Sequence, residues 1–141
     1  MTFLQVLLPV AVGVFVQLIK IVMEVYKGGF SWHNLVSYGG MPSSHSAMVT
    51  SLATTVYLAV GFGPEFCIAI TLALIVIRDA VGFRSYLSMF GKNLNKIIKD
   101  LPADKEYHYQ VLPERIAHTW PQVIVGSILG VVITWSVYWL L

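Results

Sequence analysis

Four stretches of this chain carry no charged side chain: residues 2–19, 46–64, 66–77 and 119–141. A helix needs about 20 mostly apolar residues to cross a bilayer. The first, second and last stretches meet that requirement directly. The third meets it when it continues through Arg78 and Asp79 to Gly82. The apolar residues are gathered into blocks rather than spread with an amphipathic period. Only 11% of the chain is charged, against about 25% in ordinary soluble domains. The expectation is an all-α integral membrane bundle, a single domain over 1–141. It has about four transmembrane helices, near 2–26, 45–61, 64–83 and 119–141, plus one amphipathic interfacial helix.

The first block is read as a retained span. Residues 1–5 contain no Lys or Arg, and no small-residue cleavage site follows, so the pattern of a secretory signal is missing. Cys67 is the only cysteine, which excludes a disulfide within the chain.

Between the apolar blocks the charges are placed unevenly. Lys27, Arg84, Lys92, Lys96, Lys99, Lys105 and Arg115 fall in the first and third connections, which alternate threading puts on one side. The N-terminus, the 61–64 turn and the C-terminus carry no Lys or Arg. Positive charge marks the cytoplasmic side, so both long connections are expected there and both termini outside.

Within the third connection, residues 86–101 read as an amphipathic helix. Leu87, Phe90, Leu94, Ile97, Ile98 and Leu101 recur at three- and four-residue spacing, with Lys92, Lys96 and Lys99 mostly between them. Such a helix either lies in the headgroup layer or packs its apolar stripe on the bundle. In the last span, Gly126 and Gly130 form a small-residue pair that permits close helix approach. That pair suits internal packing and leaves a homo-oligomer open.

Ionisable groups at membrane depth are costly, so each marks a candidate site. Lys20 and Glu24 lie near the inner end of the first span, and Arg78 and Asp79 near that of the third. His45 opens the second span and His118 precedes the fourth, so the threading brings all six to the cytoplasmic end. Each has a plainer reading: an i,i+4 pair for Lys20 and Glu24, snorkelling for Arg78, and a structural partner to Arg78 or Lys20 for Asp79. Pro42, Ser43 and Ser44 form a helix start, with Ser43 or Ser44 as N-cap. The first turn of such a helix presents backbone N–H groups suited to phosphate. A histidine there can exchange a proton with the bound anion.

These motifs carry a resemblance. The run Gly39-Gly40-Met41-Pro42-Ser43-Ser44-His45-Ser46-Ala47 is similar to the Pro-Ser-Gly-His motif of the type 2 phosphatidic acid phosphatase and vanadium haloperoxidase superfamily. Together with Gln17-Leu18-Ile19-Lys20, Asp79-Ala80-Val81-Gly82-Phe83-Arg84 and His118-Thr119, it resembles that superfamily's divergent membrane branch over nearly the full length. The resemblance implies a metal-independent membrane phosphatase or phosphotransferase in a bacterial cytoplasmic membrane. Its partners would be the bilayer and a phospholipid or polyprenyl phosphate substrate, with no cofactor. By position, His118 is the implied nucleophile and His45 the general acid. Lys20, Ser43, Ser44 and Arg84 hold phosphate, with Asp79, Arg78 and Gln122 in support.

The chain departs from the superfamily pattern at several positions. Lys27 and Gly28 stand where the first motif continues with Arg-Pro, and Leu112 stands where an arginine precedes the nucleophile; Arg115 lies nearer. In His118-Thr119-Trp120-Pro121-Gln122 the last residue replaces the Asp or Glu that orients the histidine. Gln122 can orient an imidazole without stabilising its cation, and Asp79 is the alternative source of charge. The second functional reading follows from this: a weakly active or inactive relative that binds an anion or phospholipid. A third is a small transporter subunit or assembly factor. His33, His45, His108 and His118 show no paired metal-ligand spacing. The nucleophile elbow of serine hydrolases is missing. No feature supports nucleic-acid binding.

Overall fold

The computed structural model describes residues 2–28, 40–101, 111–114 and 116–141. The connections at 29–39 and 102–110, with His33, Lys105 and His108, lie outside the described residues, as does Arg115. So do the side chains of Glu24 and Lys27. All regular structure among the described residues is helical: α1 (Phe3–Gly28), α2 (Ser44–Val60), α3 (Pro64–Val81), α4 (Phe83–Asp100) and α5 (Trp120–Tyr138).

Local chemistry sets these boundaries. Ser43 caps α2, its side chain accepting from the Ser46 N–H at 3.4 Å. Gly61 ends α2 with φ of 73°, a left-handed conformation that favours glycine. Pro64 opens α3 where its missing N–H costs nothing. Gly82 alone separates α3 from α4.

Three helical stretches among the described residues are long and apolar enough to cross a membrane: Phe3–Met23, Pro64–Asp100 and Trp120–Tyr138. The second apolar block forms the shorter α2, of 17 residues. At 1.5 Å per residue it spans roughly 25 Å, short of the ~30 Å hydrocarbon core. It compensates by position: α2 is central and packs on α1, α3 and α5. Its buried residues include Ser46, Ser51, Thr54 and Thr55, which explains why a helix so rich in hydroxyls is kept away from lipid.

Contacts along the bundle give the helix directions. Ser43 N–H donates to the Gln122 carbonyl at 3.1 Å. Further along, Thr50 Oγ1 lies 3.1 Å from the Ser127 carbonyl, and the Ser51 and Thr134 hydroxyls bond each other. Rising residue numbers therefore match, so α2 and α5 run parallel. Helix α1 runs against both: Gln17 meets Ser44 at one end and Gln5 meets the Tyr138 carbonyl at the other. The N-termini of α2 and α5 thus open at the same end of the bundle, beside the C-terminal part of α1 and the end of α3.

Close approach of α2 and α5 depends on the two glycines of α5. A Cβ on Gly126 would collide with the Ser43 carbonyl, and one on Gly130 with the Ala47 carbonyl and Thr50 Oγ1. The pair therefore works as an internal packing face. Gly130→Ala is expected to cost about 1–3 kcal/mol through overpacking. Thermal unfolding in detergent should fall by roughly 2–12 °C; an unchanged midpoint would show that the helices separate without penalty. Leu8, Val12, Val16, Ala47 and Tyr138 form the apolar core, while Phe15, Leu74, Ile128 and Trp135 are exposed, as lipid-facing residues are.

Candidate functional site at the shared helix N-termini

The sequence around His45 folds into a capped helix start because Ser43 is fully buried and bonded on all sides. Its N–H reaches Gln122, its carbonyl takes the Ala47 N–H at 3.1 Å, and its hydroxyl accepts from Ser46 Oγ at 3.0 Å. Ser44 Oγ donates to Gln17 Oε1 at 2.8 Å, tying the start of α2 to α1. Lys20 lies one turn beyond Gln17 on α1 and is buried, with 2% of its surface exposed. His45 itself is exposed at the first turn of α2. The serines therefore have structural tasks of their own: Ser43 holds the turn and Ser44 joins two helices.

His118 is 4% exposed and sits two residues before α5. Its backbone N–H donates to the Ala80 carbonyl near the end of α3, at 3.1 Å. Its side chain meets Gln122: His118 Nδ1 is 3.3 Å from Gln122 Oε1, which also accepts the Thr119 backbone N–H at 3.0 Å. A backbone N–H can only donate, so the atom it faces is the amide oxygen. That oxygen can in turn only accept from His118. The imidazole therefore carries its proton on Nδ1 and leaves the Nε2 lone pair available. Thr119 and Gln122 form a capping box at the start of α5, so one side chain both caps the helix and sets the histidine tautomer.

The charges around this pair are cationic. Burial holds His118 below the ordinary histidine value of 6.5; the Gln122 hydrogen bond opposes this, and the nearby charges of Lys20, His45 and Arg84 add to the lowering. The imidazole is thus neutral at pH 7. Arg84 and Lys20 also act on His45. His45, His118, Lys20 and Arg84 accordingly share one electrostatic neighbourhood, drawn from α1, α2, α4 and the segment before α5.

The structure separates the other candidates. Asp79 pairs with Arg84, whose Nε donates to Oδ2 at 2.9 Å. The carboxylate that stood as the alternative to the missing acid beside His118 is therefore engaged by the arginine, and Gln122 occupies the Nδ1 side. Arg78 is exposed, and among the described residues its side chain has no hydrogen-bond partner.

Two positioning residues escaped the sequence reading. Ser88 Oγ accepts from the N–H groups of Ile116 and Ala117, and Asn95 brackets Leu112; both anchor the segment that leads into His118. The available signal was that Ser88, Gly91 and Asn95 recur at helical spacing along one flank of the apolar stripe of 86–101, between it and the lysines.

The family match to this arrangement is extensive. The Divergent PAP2 family matches the chain over residues 3–133. The chain belongs to that family. It is 32% identical over 148 aligned residues to a protein of Bacillus subtilis (strain 168) described as an uncharacterized membrane protein, YuiD, with 95% of this chain and 93% of the relative covered. No solved structure matches the chain. A Divergent PAP2 membrane protein built as a helical bundle agrees with the resemblance carried by the His45 and His118 motifs.

Proposed function

We propose that this Divergent PAP2 member is a membrane phosphatase or phosphotransferase acting on a lipid phosphate or diphosphate at the cytoplasmic leaflet. The observation that carries the reading is the His118–Gln122 contact. A neutral imidazole with its proton on Nδ1 keeps an Nε2 lone pair, as a nucleophile toward phosphorus requires, and the charges of Lys20, His45 and Arg84 act on the same ring.

In the proposed reaction His118 Nε2 attacks the phosphorus and the bond to the lipid oxygen breaks. Protonated His45 gives its proton to that oxygen as it leaves. Water then attacks the phosphohistidine, His45 takes a proton from it, the P–N bond breaks and phosphate departs. Phosphoryl transfer depends on positioning and charge neutralisation. Lys20, Arg84 and the first-turn amides of α2 meet that need.

Gln122 favours a second reading. Without a carboxylate at that position, the same pocket would bind a phosphate group and turn it over slowly or not at all. Phosphate release from phosphatidic acid, phosphatidylglycerol phosphate and a polyprenyl diphosphate, without added metal, distinguishes the two. Release by the wild-type protein supports catalysis. Orthovanadate binding without release supports the binding module, and neither result would reject both.

A further inference from the structure

Helix α4 is divided lengthwise among three surroundings. Tyr86, Leu87, Phe90, Leu94 and Ile97 share one side and are exposed, Tyr86 at 62% and Ile97 at 57%. Ser88, Gly91 and Asn95 take the second side and grip residues 112–114 and 116–117. Asn95 Nδ2 donates to the Leu112 carbonyl and Glu114 Oε1, while its Oδ1 accepts from the Leu112 N–H, each at 2.9 Å. Ser88 Oγ accepts the N–H groups of Ile116 and Ala117, each at 3.1 Å. A Cβ on Gly91 would come within 2.7 Å of the Pro113 carbonyl, so the segment lies directly on the helix. Lys92, Lys96 and Lys99 occupy the third side, exposed.

We propose that α4 docks on an anionic lipid surface and that this docking holds the segment carrying His118 in place. Three observations name lipid as the occupant of the apolar side. Gly82 is the only residue between α3 and α4, so α4 starts directly at the end of a helix from an apolar stretch long enough to cross a membrane. Among the described residues α4 packs only on α3 and on residues 112–114 and 116–117, so the described bundle does not cover the apolar side. The lysines outnumber the single acid, Asp100, on the helix, and a cationic polar side beside an apolar one suits anionic headgroups. With the apolar side about 5–10 Å into the headgroup boundary, the lysines reach the phosphates. The Ser88 and Asn95 contacts then fix Leu112, Ile116 and Ala117 relative to the membrane, directly before His118.

The consequence for His118 chemistry rests on the phosphotransfer reading, whereas the docking does not, and the test separates them. The full chain is placed in nanodiscs of phosphatidylcholine alone, or with roughly 30 mol% phosphatidylglycerol. Backbone amide exchange is followed at Leu112, Ile116 and Ala117. An environment-sensitive fluorophore at Phe90→Cys, in a Cys67→Ser background, reports depth. Docking predicts an apolar signal at position 90 and about tenfold slower exchange at the three amides with anionic lipid. Combined Lys92→Gln, Lys96→Gln and Lys99→Gln removes the slowing, and the corresponding Arg variant retains it. Exchange that ignores lipid charge, a water-exposed label, or crosslinking between copies through position 90 would overturn the proposal. If the amides respond while no phosphate is released from any substrate, the docking stands and the catalytic reading falls.

Discussion

His118→Ala should lower phosphate release by about 10³-fold or more, the scale on which losing a nucleophile costs other enzymes. In the proposed reaction His118 supplies the atom that forms the bond to phosphorus, and the other nitrogen of its ring cannot replace that atom. The Nδ1 side of the ring is taken by Gln122 Oε1, and His45, the proposed proton donor, stands on a different helix. Folding should survive the change. The backbone N–H of residue 118 still reaches the Ala80 carbonyl, and Thr119 and Gln122 still cap α5. Orthovanadate affinity should therefore fall much less than turnover. Equal phosphate release by wild type and His118→Ala would remove His118 from the chemistry.

Gln122→Glu should act in the opposite direction. In the attack step the imidazole gains positive charge, and a carboxylate beside Nδ1 stabilises that charge where a carboxamide only orients the ring. Gln122 already fixes the tautomer, so the gain is confined to electrostatics. One pKa unit corresponds to about 1.4 kcal/mol, or tenfold, and an adjacent opposite charge shifts a group by about 1–3 units, giving a rate increase of roughly 10-fold or more. The pH profile moves with it. In the wild type, burial and the surrounding cations keep His118 neutral until the pH drops through a value below 6.5. Activity that requires the neutral ring is therefore lost only on the acid side of 6.5. A carboxylate at position 122 favours the imidazolium, so the acid limb should move to higher pH as the maximum rate rises. Glutamate serves a capping box as well as glutamine, so unfolding temperature should change little. A lower rate with an unshifted limb would mean that the amide is needed for something other than orientation.

The sequence and the structure agree most closely where the controlling interactions are local. The cap at Ser43, the stop at Gly61 and the amphipathic period of 86–101 each depend on residues within a turn or two of each other, and each is readable in order along the chain. The convergence of Lys20, His45 and His118 was also legible, because alternate threading of apolar blocks carries all three to one end. The parallel pairing of α2 with α5 was not. It rests on contacts such as Ser43 with Gln122 and Ser51 with Thr134, separated by about eighty residues, and on glycines whose partner helix no local pattern identifies. Gln122 shows the other kind of difficulty. Read as a missing carboxylate it suggested a loss, although Thr119-Trp120-Pro121-Gln122 carries a capping-box pattern that gives the side chain at 122 a structural task beside the histidine. Asn95 and Ser88 interrupt an amphipathic helix with polar groups, and their purpose becomes plain only beside the segment they grip, which leads into His118.

The covalent intermediate tests the account most directly. Protein incubated with a radiolabelled lipid phosphate, quenched rapidly in alkali and digested, should yield label on the peptide containing His118. The bond should be acid-labile and alkali-stable, as a phosphoramidate is. The label should vanish in His118→Ala and accumulate in His45→Ala if attack still proceeds without its proton donor. Phosphate release with no label on His118, or with label on another residue, would contradict the phosphohistidine mechanism.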